Sequence, residues 1–77
     1  MLRLENIRRN GSEMSADFYP EDSPICGHII VDTDEGKVIS CSRVKGFGYS
    51  YEGHALWALC DLAKEKNIPE QKVVMWY

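Results

Sequence analysis

The stretch that decides the fold is residues 2–19, LRLENIRRNGSEMSADFY, because it specifies a complete β-hairpin. Apolar and polar residues alternate on both sides of Asn10-Gly11, and this period of two is typical of β-strands. An Asn-Gly dipeptide readily adopts the two positive φ angles of a type I′ turn. The stretch therefore predicts two antiparallel strands, and Pro20 ends the second one.

A second hairpin is predicted farther along the chain. Residues 25–32 and 37–44 are rich in β-branched side chains, and they flank the turn sequence TDEG at residues 33–36. An acidic start and a final glycine suit a type I turn that closes in a left-handed residue. A four-residue loop of this kind pairs Val31 with Val38.

One helix and a last strand complete the predicted order. A helix is indicated by apolar residues at positions i, i+3, i+4 and i+7, which are Leu56, Leu59, Cys60 and Ala63. We expect Ser50 to be its N-cap, and Asn67 and Pro69 to end it. Residues 71–77, QKVVMWY, predict a fifth strand. The order β-β-β-β-α-β predicts an α+β fold in one domain spanning residues 1–77, with a mostly antiparallel sheet and the helix packed on one face.

Length and composition limit the classes of protein. The chain has 77 residues and a mass of 8.8 kDa, so it holds a single small core. Hydrophobic residues make up 44% and charged residues 27%, which is typical of a globular chain and not of a disordered one. Nine Lys and Arg against twelve Asp and Glu give a net charge of -3. This acidity argues against duplex nucleic acid or an anionic membrane as the partner.

The apolar runs and the cysteines predict a cytoplasmic setting. The longest apolar run, residues 55–60, is far shorter than the roughly 20 residues that span a bilayer, and the first residues lack the pattern of a secretory signal. Cys26, Cys41 and Cys60 are odd in number and form no CxxC pair. We therefore expect reduced thiols and no disulfide.

The predicted second hairpin points to self-association. Its register places one apolar set on one face of the sheet: Ile25, Ile29, Val31, Val38 and Val44. The opposite face then carries a second set that is not clearly polar: Cys26, His28, Ile30, Ile39 and Cys41. One helix cannot cover both faces, so loops or a second copy must cover the other. Our leading hypothesis is a non-enzymatic interaction module that forms a homodimer and can also bind another protein.

A metal site is the alternative interpretation of the same residues. The register sets His28 opposite Cys41 with Cys26 nearby, and Cys60 or His54 on the helix could supply a fourth ligand for zinc. The spacing has no CxxC or HxxxH pair, and a one-residue shift of register would scatter the set. Free cysteines also behave as small hydrophobes. We predict no metal, no cofactor and no catalytic residue, and hence no enzyme.

The candidate partner surface is a glycine- and aromatic-rich loop at residues 46–51. It contains Phe47, Tyr49 and Tyr51, and the cations Arg43 and Lys45 adjoin it. One alternative function is single-stranded nucleic-acid binding by these side chains together with the cations of the first strand, Arg3, Arg8 and Arg9. The competing interpretation is structural, with the three aromatic side chains folded back onto the core.

Several segments carry a resemblance. They are the Asn10-Gly11 hairpin, ADFYPE at residues 16–21, GHIIVD at 27–32, His54-Ala55 and VMWY at 74–77. With them the chain resembles small uncharacterised proteins of Gram-positive bacteria and their mobile elements over nearly its whole length. The resemblance implies a bacterial, cytoplasmic setting and transfers neither a catalytic residue nor a ligand.

Overall fold

The computed structural model describes residues 1–75. Five strands and one helix follow in the predicted order, namely β1 Leu2–Asn10, β2 Glu13–Pro20, β3 Gly27–Asp32, β4 Lys37–Ser42, α1 Tyr49–Leu62 and β5 Lys72–Val74. The strands form one antiparallel sheet in the order β4-β3-β2-β1-β5, and α1 packs on one of its faces. The predicted α+β fold is confirmed. No helix within residues 1–75 is long and apolar enough to cross a membrane.

The core lies between the sheet and α1. Leu2 and Leu4 of β1, Phe18 of β2 and Ile29 of β3 are fully buried there, and Leu59 meets them from the helix. These strand residues recur at intervals of two, as a half-buried strand requires.

The first hairpin turns at Gly11 and Ser12, because Asn10 and Glu13 pair with each other as the last residues of the two strands. Gly11 has a φ of 63° in the left-handed region, but Asn10 has no positive φ, so the predicted type I′ turn at Asn10-Gly11 is wrong and the turn lies one residue later.

β4 contains a bulge that changes the predicted register of the second hairpin. Val31 pairs with Val38 as predicted, but Ile30 pairs with Ser40, so Ile39 is the extra residue. Beyond the bulge His28 faces Ser42, and the predicted pairing of His28 with Cys41 is wrong. The bulge also moves Cys41 to the core side of the sheet, where its side chain packs against the core.

The predicted second apolar face is wrong as well. In the observed register the face away from α1 carries mainly polar side chains on β1, β2 and β4, including Arg3, Asp17 and Ser42. Ile30 is half-buried there, and Ile25 lies 66% exposed before β3 begins instead of contributing to the core face. An antiparallel sheet with one polar face can face water, so this face does not require a second copy to cover it.

A second bulge lies in β1. Glu5 pairs with Asp17 and Arg8 with Ser15, so two β1 residues oppose one residue of β2. Asn6 occupies the bulge with a φ of 53°, a left-handed conformation that asparagine tolerates better than most side chains. The extra residue keeps Ile7 buried.

The helix starts and ends earlier than predicted. It begins at Tyr49, and Gly48 is the N-cap without a side-chain hydrogen bond, so Ser50 lies inside the helix and does not cap it. Its C-cap is Ala63, and the chain turns from there to Asn67. The fully buried helix positions are Ala55, Ala58, Leu59 and Leu62, whereas Leu56, Cys60 and Ala63 are half-buried at the margin. Of the predicted stripe, Leu59 is the member at the centre of the interface.

β5 is shorter than predicted and lies at an edge of the sheet. It pairs antiparallel with β1, with Leu2 opposite Val74, Arg3 opposite Val73 and Leu4 opposite Lys72. The predicted strand continued to residue 77, and its last two positions lie outside the described residues. Edge placement leaves one side of β5 without a strand neighbour in the described sheet.

Candidate functional site

An apolar groove of about 450 Å³ lies between the first half of α1 and β5. Six residues line it: Ser50, Gly53, His54, Trp57, Val74 and Met75. Its floor is Val74, which is buried, and its rim is formed by Trp57 and Met75, which are 69% and 57% exposed. A large aromatic and a flexible thioether at the rim of a groove offer contact area to a partner.

The groove exists because two elements of different length meet at the edge of the sheet. β5 is three residues long, whereas α1 is fourteen, so the helix extends beyond the strand beneath it. Gly53 has no side chain to fill the space, and nothing lies within 4 Å of the position that its Cβ would take. The helix therefore presents Trp57 beside an edge strand instead of over the buried core.

The predicted aromatic surface is divided by the structure. Phe47 and Tyr51 are half-buried and pack against the core. Their rings meet edge to face, with the two ring centroids 5.4 Å apart. The Tyr51 hydroxyl donates a 2.8 Å hydrogen bond to Glu21 Oε2. The hydrogen bond that Glu21 accepts from the N-terminal ammonium, and after it the one from Tyr51, lowers the pKa of Glu21. Phe47 and Tyr51 therefore close one end of the core, in agreement with the structural interpretation.

Tyr49, by contrast, is 74% exposed. The Arg43 guanidinium lies 3.9 Å from the centroid of its ring and 3.7 Å from a carboxylate oxygen of Glu52. Lys45 is exposed in the loop before the helix. Of the five predicted site residues, Arg43, Lys45 and Tyr49 thus remain at the surface. Arg43 and Tyr49 form a contact at the start of α1, whereas no contact links Lys45 to them among the described residues.

The cations of the nucleic-acid alternative do not converge. Arg3 forms an ion pair with Glu5 and lies 4.4 Å from the centroid of the Tyr19 ring. Arg8 and Arg9 lie at the other end of β1, next to the hairpin turn. Arg43 follows β4, which is separated from β1 by two strands, or about 14 Å across the sheet. Such dispersed cations do not form the continuous basic groove that a single strand follows.

The residues of the alternative metal site are separated too. Cys41 packs on the core side of the sheet, whereas Cys26 and His28 are exposed. Burial raises the pKa of the Cys41 thiol to about 11, and burial also raises the pKa of the Cys60 thiol. The described residues contain no group of three or more His, Cys, Asp or Glu side chains that could hold a metal ion.

The open face of the sheet carries a polar network. Asp17 accepts a hydrogen bond of 2.8 Å from Asn6 Nδ2, and its other oxygen lies 2.9 Å from His28 Nδ1. These two bonds lower the pKa of Asp17, with Asn6 the stronger cause. The pair has the form of an acid-base dyad, but it lies on an open surface with His28 51% exposed. The network links β1, β2 and β3, and none of its residues lines the groove.

Sequence reasoning missed Trp57 and the groove. Trp57 lies outside the apolar stripe of the helix, and side chains outside that stripe face solvent. A large apolar residue at such a position is the sequence signal that could have indicated a binding surface. The groove itself depends on how far α1 extends past β5, which no local pattern encodes.

Comparison with known proteins adds no assignment. The chain matches no family model, and neither the curated proteins nor the solved structures gave a match.

Proposed function

We propose that the chain is a small non-enzymatic interaction module that associates with a second copy of itself. The observation that carries this proposal is the apolar surface around β5. Trp57, Val73 and Met75 are all more than half exposed beside a strand that has one hydrogen-bonded neighbour in the described sheet. Trp57 and Met75 form an exposed apolar patch at the groove, and Val73 lies on the other face of the same strand. An exposed apolar patch marks an interaction site in small proteins.

The chemistry of the remaining surface supports a binding role over catalysis. Two of the three thiols are half-buried with raised pKa values, and a thiol of this kind is a poor nucleophile. The Asp17–His28 pair lies outside the groove. A cytoplasmic, bacterial setting is part of the proposal, supported by the free cysteines and the resemblance described above.

The test is the molar mass in solution, measured by light scattering after size-exclusion chromatography over a series of concentrations. We expect a dimer at micromolar concentration that dissociates on dilution. A monomer at every concentration up to the millimolar range would contradict self-association. A repeat with added single-stranded oligonucleotide, in which we expect the mass to stay unchanged, tests the nucleic-acid alternative.

A further inference from the structure

We propose that the two copies join through the edge of β5 that has no strand neighbour among residues 1–75, so that two five-stranded sheets become one continuous ten-stranded sheet. This inference rests on the proposed self-association and specifies its surface and register. An unpaired edge presents backbone N–H and C=O groups that another strand can satisfy. Pairing two β5 strands across a two-fold axis satisfies the free edges of both copies in one contact.

The choice of β5 follows from comparing the two edges of the sheet. The opposite edge is β4, where the bulge at Ile39 interrupts the ladder. A bulge twists an edge strand and is a common means of preventing edge-to-edge pairing. The pairing of β5 with β1 has no register shift. The β5 edge is therefore the regular one, and it lies beside the exposed Trp57 and Met75.

The length of β5 fixes the register. The strand comprises Lys72, Val73 and Val74. An antiparallel pair centred on Val73 brings all three residues of each copy into the ladder, with Val73 opposite its own counterpart and Lys72 opposite Val74. Any other centre pairs fewer strand residues. Val73 is 52% exposed on the sheet face away from α1, and β-branched residues form favourable cross-strand pairs.

The two-fold symmetry of this arrangement also brings the apolar grooves of the two copies together. A two-fold axis that relates antiparallel neighbours in one sheet stands perpendicular to that sheet, so both helices lie on the same side. The two grooves then open toward each other above the joined β5 strands. Trp57 and Met75 of each copy lie beside this seam and lose contact with water there. The exposed apolar surface of both elements, strand and helix, is thereby covered by one partner.

The single charge of β5 is compatible with the register. Lys72 lies opposite Val74 of the second copy and not opposite its own counterpart, and like charges destabilise a ladder mainly when they face each other directly. Its long side chain lies at the exposed end of the strand and reaches water from the helix side of the sheet.

A cysteine at the two-fold axis tests the register. Directly opposite residues of an antiparallel pair have Cα atoms about 4.5–5.5 Å apart, within the range that a disulfide bridges. The variant is Val73→Cys in a Cys26→Ser background, which removes the exposed native thiol. Oxidised glutathione serves as the oxidant at a concentration where the parent is dimeric. The matched control is Ile39→Cys in the same background, since Ile39 is similarly exposed on the other edge.

We expect the Val73→Cys chain to form a covalent dimer at least about tenfold faster than the Ile39→Cys chain. A second variant, Trp57→Ala, should fold normally because its side chain is 69% exposed, and should weaken dimerisation at least about tenfold. A parent that is dimeric but gives equal cross-linking at both positions would overturn the β5 interface and leave self-association standing. A monomeric parent would overturn both proposals. Thermal melting of every variant verifies that each remains folded.

Discussion

The ring of Phe18 lies against the α-carbon of Gly27, its cross-strand partner on β3. A Cβ built on Gly27 would collide with this ring and with the carbonyl oxygen of Ser42 on β4. Phe18 is almost fully buried, so its ring cannot move aside without disturbing the core. The glycine therefore lets three strands and an aromatic ring approach one another at the edge of the core.

We expect Gly27→Ala to lower the free energy of unfolding by about 1–3 kcal/mol, because the added methyl group overpacks this contact. The matched control is Gly53→Ala on α1, where nothing lies within 4 Å of the added methyl group. Replacing a helical glycine with alanine should stabilise the chain by about 0.5–1 kcal/mol. Urea unfolding followed by circular dichroism gives both values. Equal effects at the two glycines would contradict the close packing of Phe18 on Gly27.

Leu59 is the fully buried helix residue that anchors α1 to the sheet. We expect Leu59→Ala to cost about 2–5 kcal/mol, which is enough to unfold much of so small a domain. Leu56→Ala is the control, since Leu56 is half-buried at the margin of the interface and should cost less. Thermal melts of the two variants give the comparison, and a parent-like melt of Leu59→Ala would show that the helix face is assigned incorrectly.

Local patterns predicted the elements because each pattern acts over a few residues. The Asn-Gly dipeptide correctly located the first hairpin, although its turn residues are Gly11 and Ser12, and the β3–β4 turn correctly set Val31 opposite Val38. The edge position of β5 had no such signal. It depends on β1 having a free side once the first hairpin has formed, and that is a property of the assembled sheet.

The candidate site was harder to predict because it depends on irregularities. The unpredicted bulge at Ile39 moved Cys41 to the other face and removed the metal alternative. The sequence predicts one surface for Phe47, Tyr49 and Tyr51, but the helix begins at Tyr49, and helical spacing separates Tyr49 from Tyr51. One of the two rings then faces water and the other the core.

The three thiols should react at different rates in the folded chain. Cys26 is exposed, whereas burial of Cys41 raises its pKa to about 11 and keeps it protonated at neutral pH. We expect iodoacetamide to label Cys26 first, Cys60 more slowly and Cys41 last, as followed by mass spectrometry of peptides. In urea, where the chain is unfolded, the three thiols should react with iodoacetamide at similar rates. Labelling of Cys41 as fast as Cys26 in the folded chain would contradict the placement of Cys41 against the core.

Asp17 should make stability depend on pH in the acidic range. Hydrogen bonds from Asn6 and His28 lower its pKa in the folded state, so the unfolded chain binds a proton at higher pH than the folded chain does. The resulting stabilisation is fully present above the unfolded pKa, near 3.9, and is lost as the pH falls through the folded value. Asp17→Asn should therefore destabilise the chain at pH 7 and destabilise it less at a pH below the pKa of Asp17 in the folded chain.

Urea unfolding at a series of pH values measures this dependence. The control is Asp34→Asn, which makes the same change of side chain in the exposed turn between β3 and β4, away from the Asp17 network. Asn6→Ala should reproduce part of the Asp17→Asn effect on the pH dependence, because the hydrogen bond from Asn6 is the largest cause of the lowered pKa of Asp17. A pH dependence identical in Asp17→Asn and the parent chain would show that the network contributes nothing to folding.

The aromatic side chains at the start of α1 allow a last test of packing against binding. Phe47 is half-buried against Tyr51 and the core, so Phe47→Ala should lower stability by up to about 3 kcal/mol. Tyr49 is 74% exposed, and Tyr49→Ala removes mainly its contact with Arg43, which is worth about 0.5–1 kcal/mol at an exposed site. Thermal melts of both variants measure this difference. Equal destabilisation by the two substitutions would contradict the division of the aromatic cluster into a packed and an exposed part.

The exposed part can also be tested for binding, because Tyr49→Ala should leave the chain folded. Titration of the parent chain with single-stranded oligonucleotides at low salt is the most sensitive condition, since phosphate contacts weaken as salt rises. We expect no saturable binding, because Arg3 and Arg43 each lie beside a carboxylate and the other cations are dispersed. Saturable, salt-dependent binding that Tyr49→Ala weakens would instead favour the nucleic-acid function, and would identify the Arg43–Tyr49 cluster as its contact.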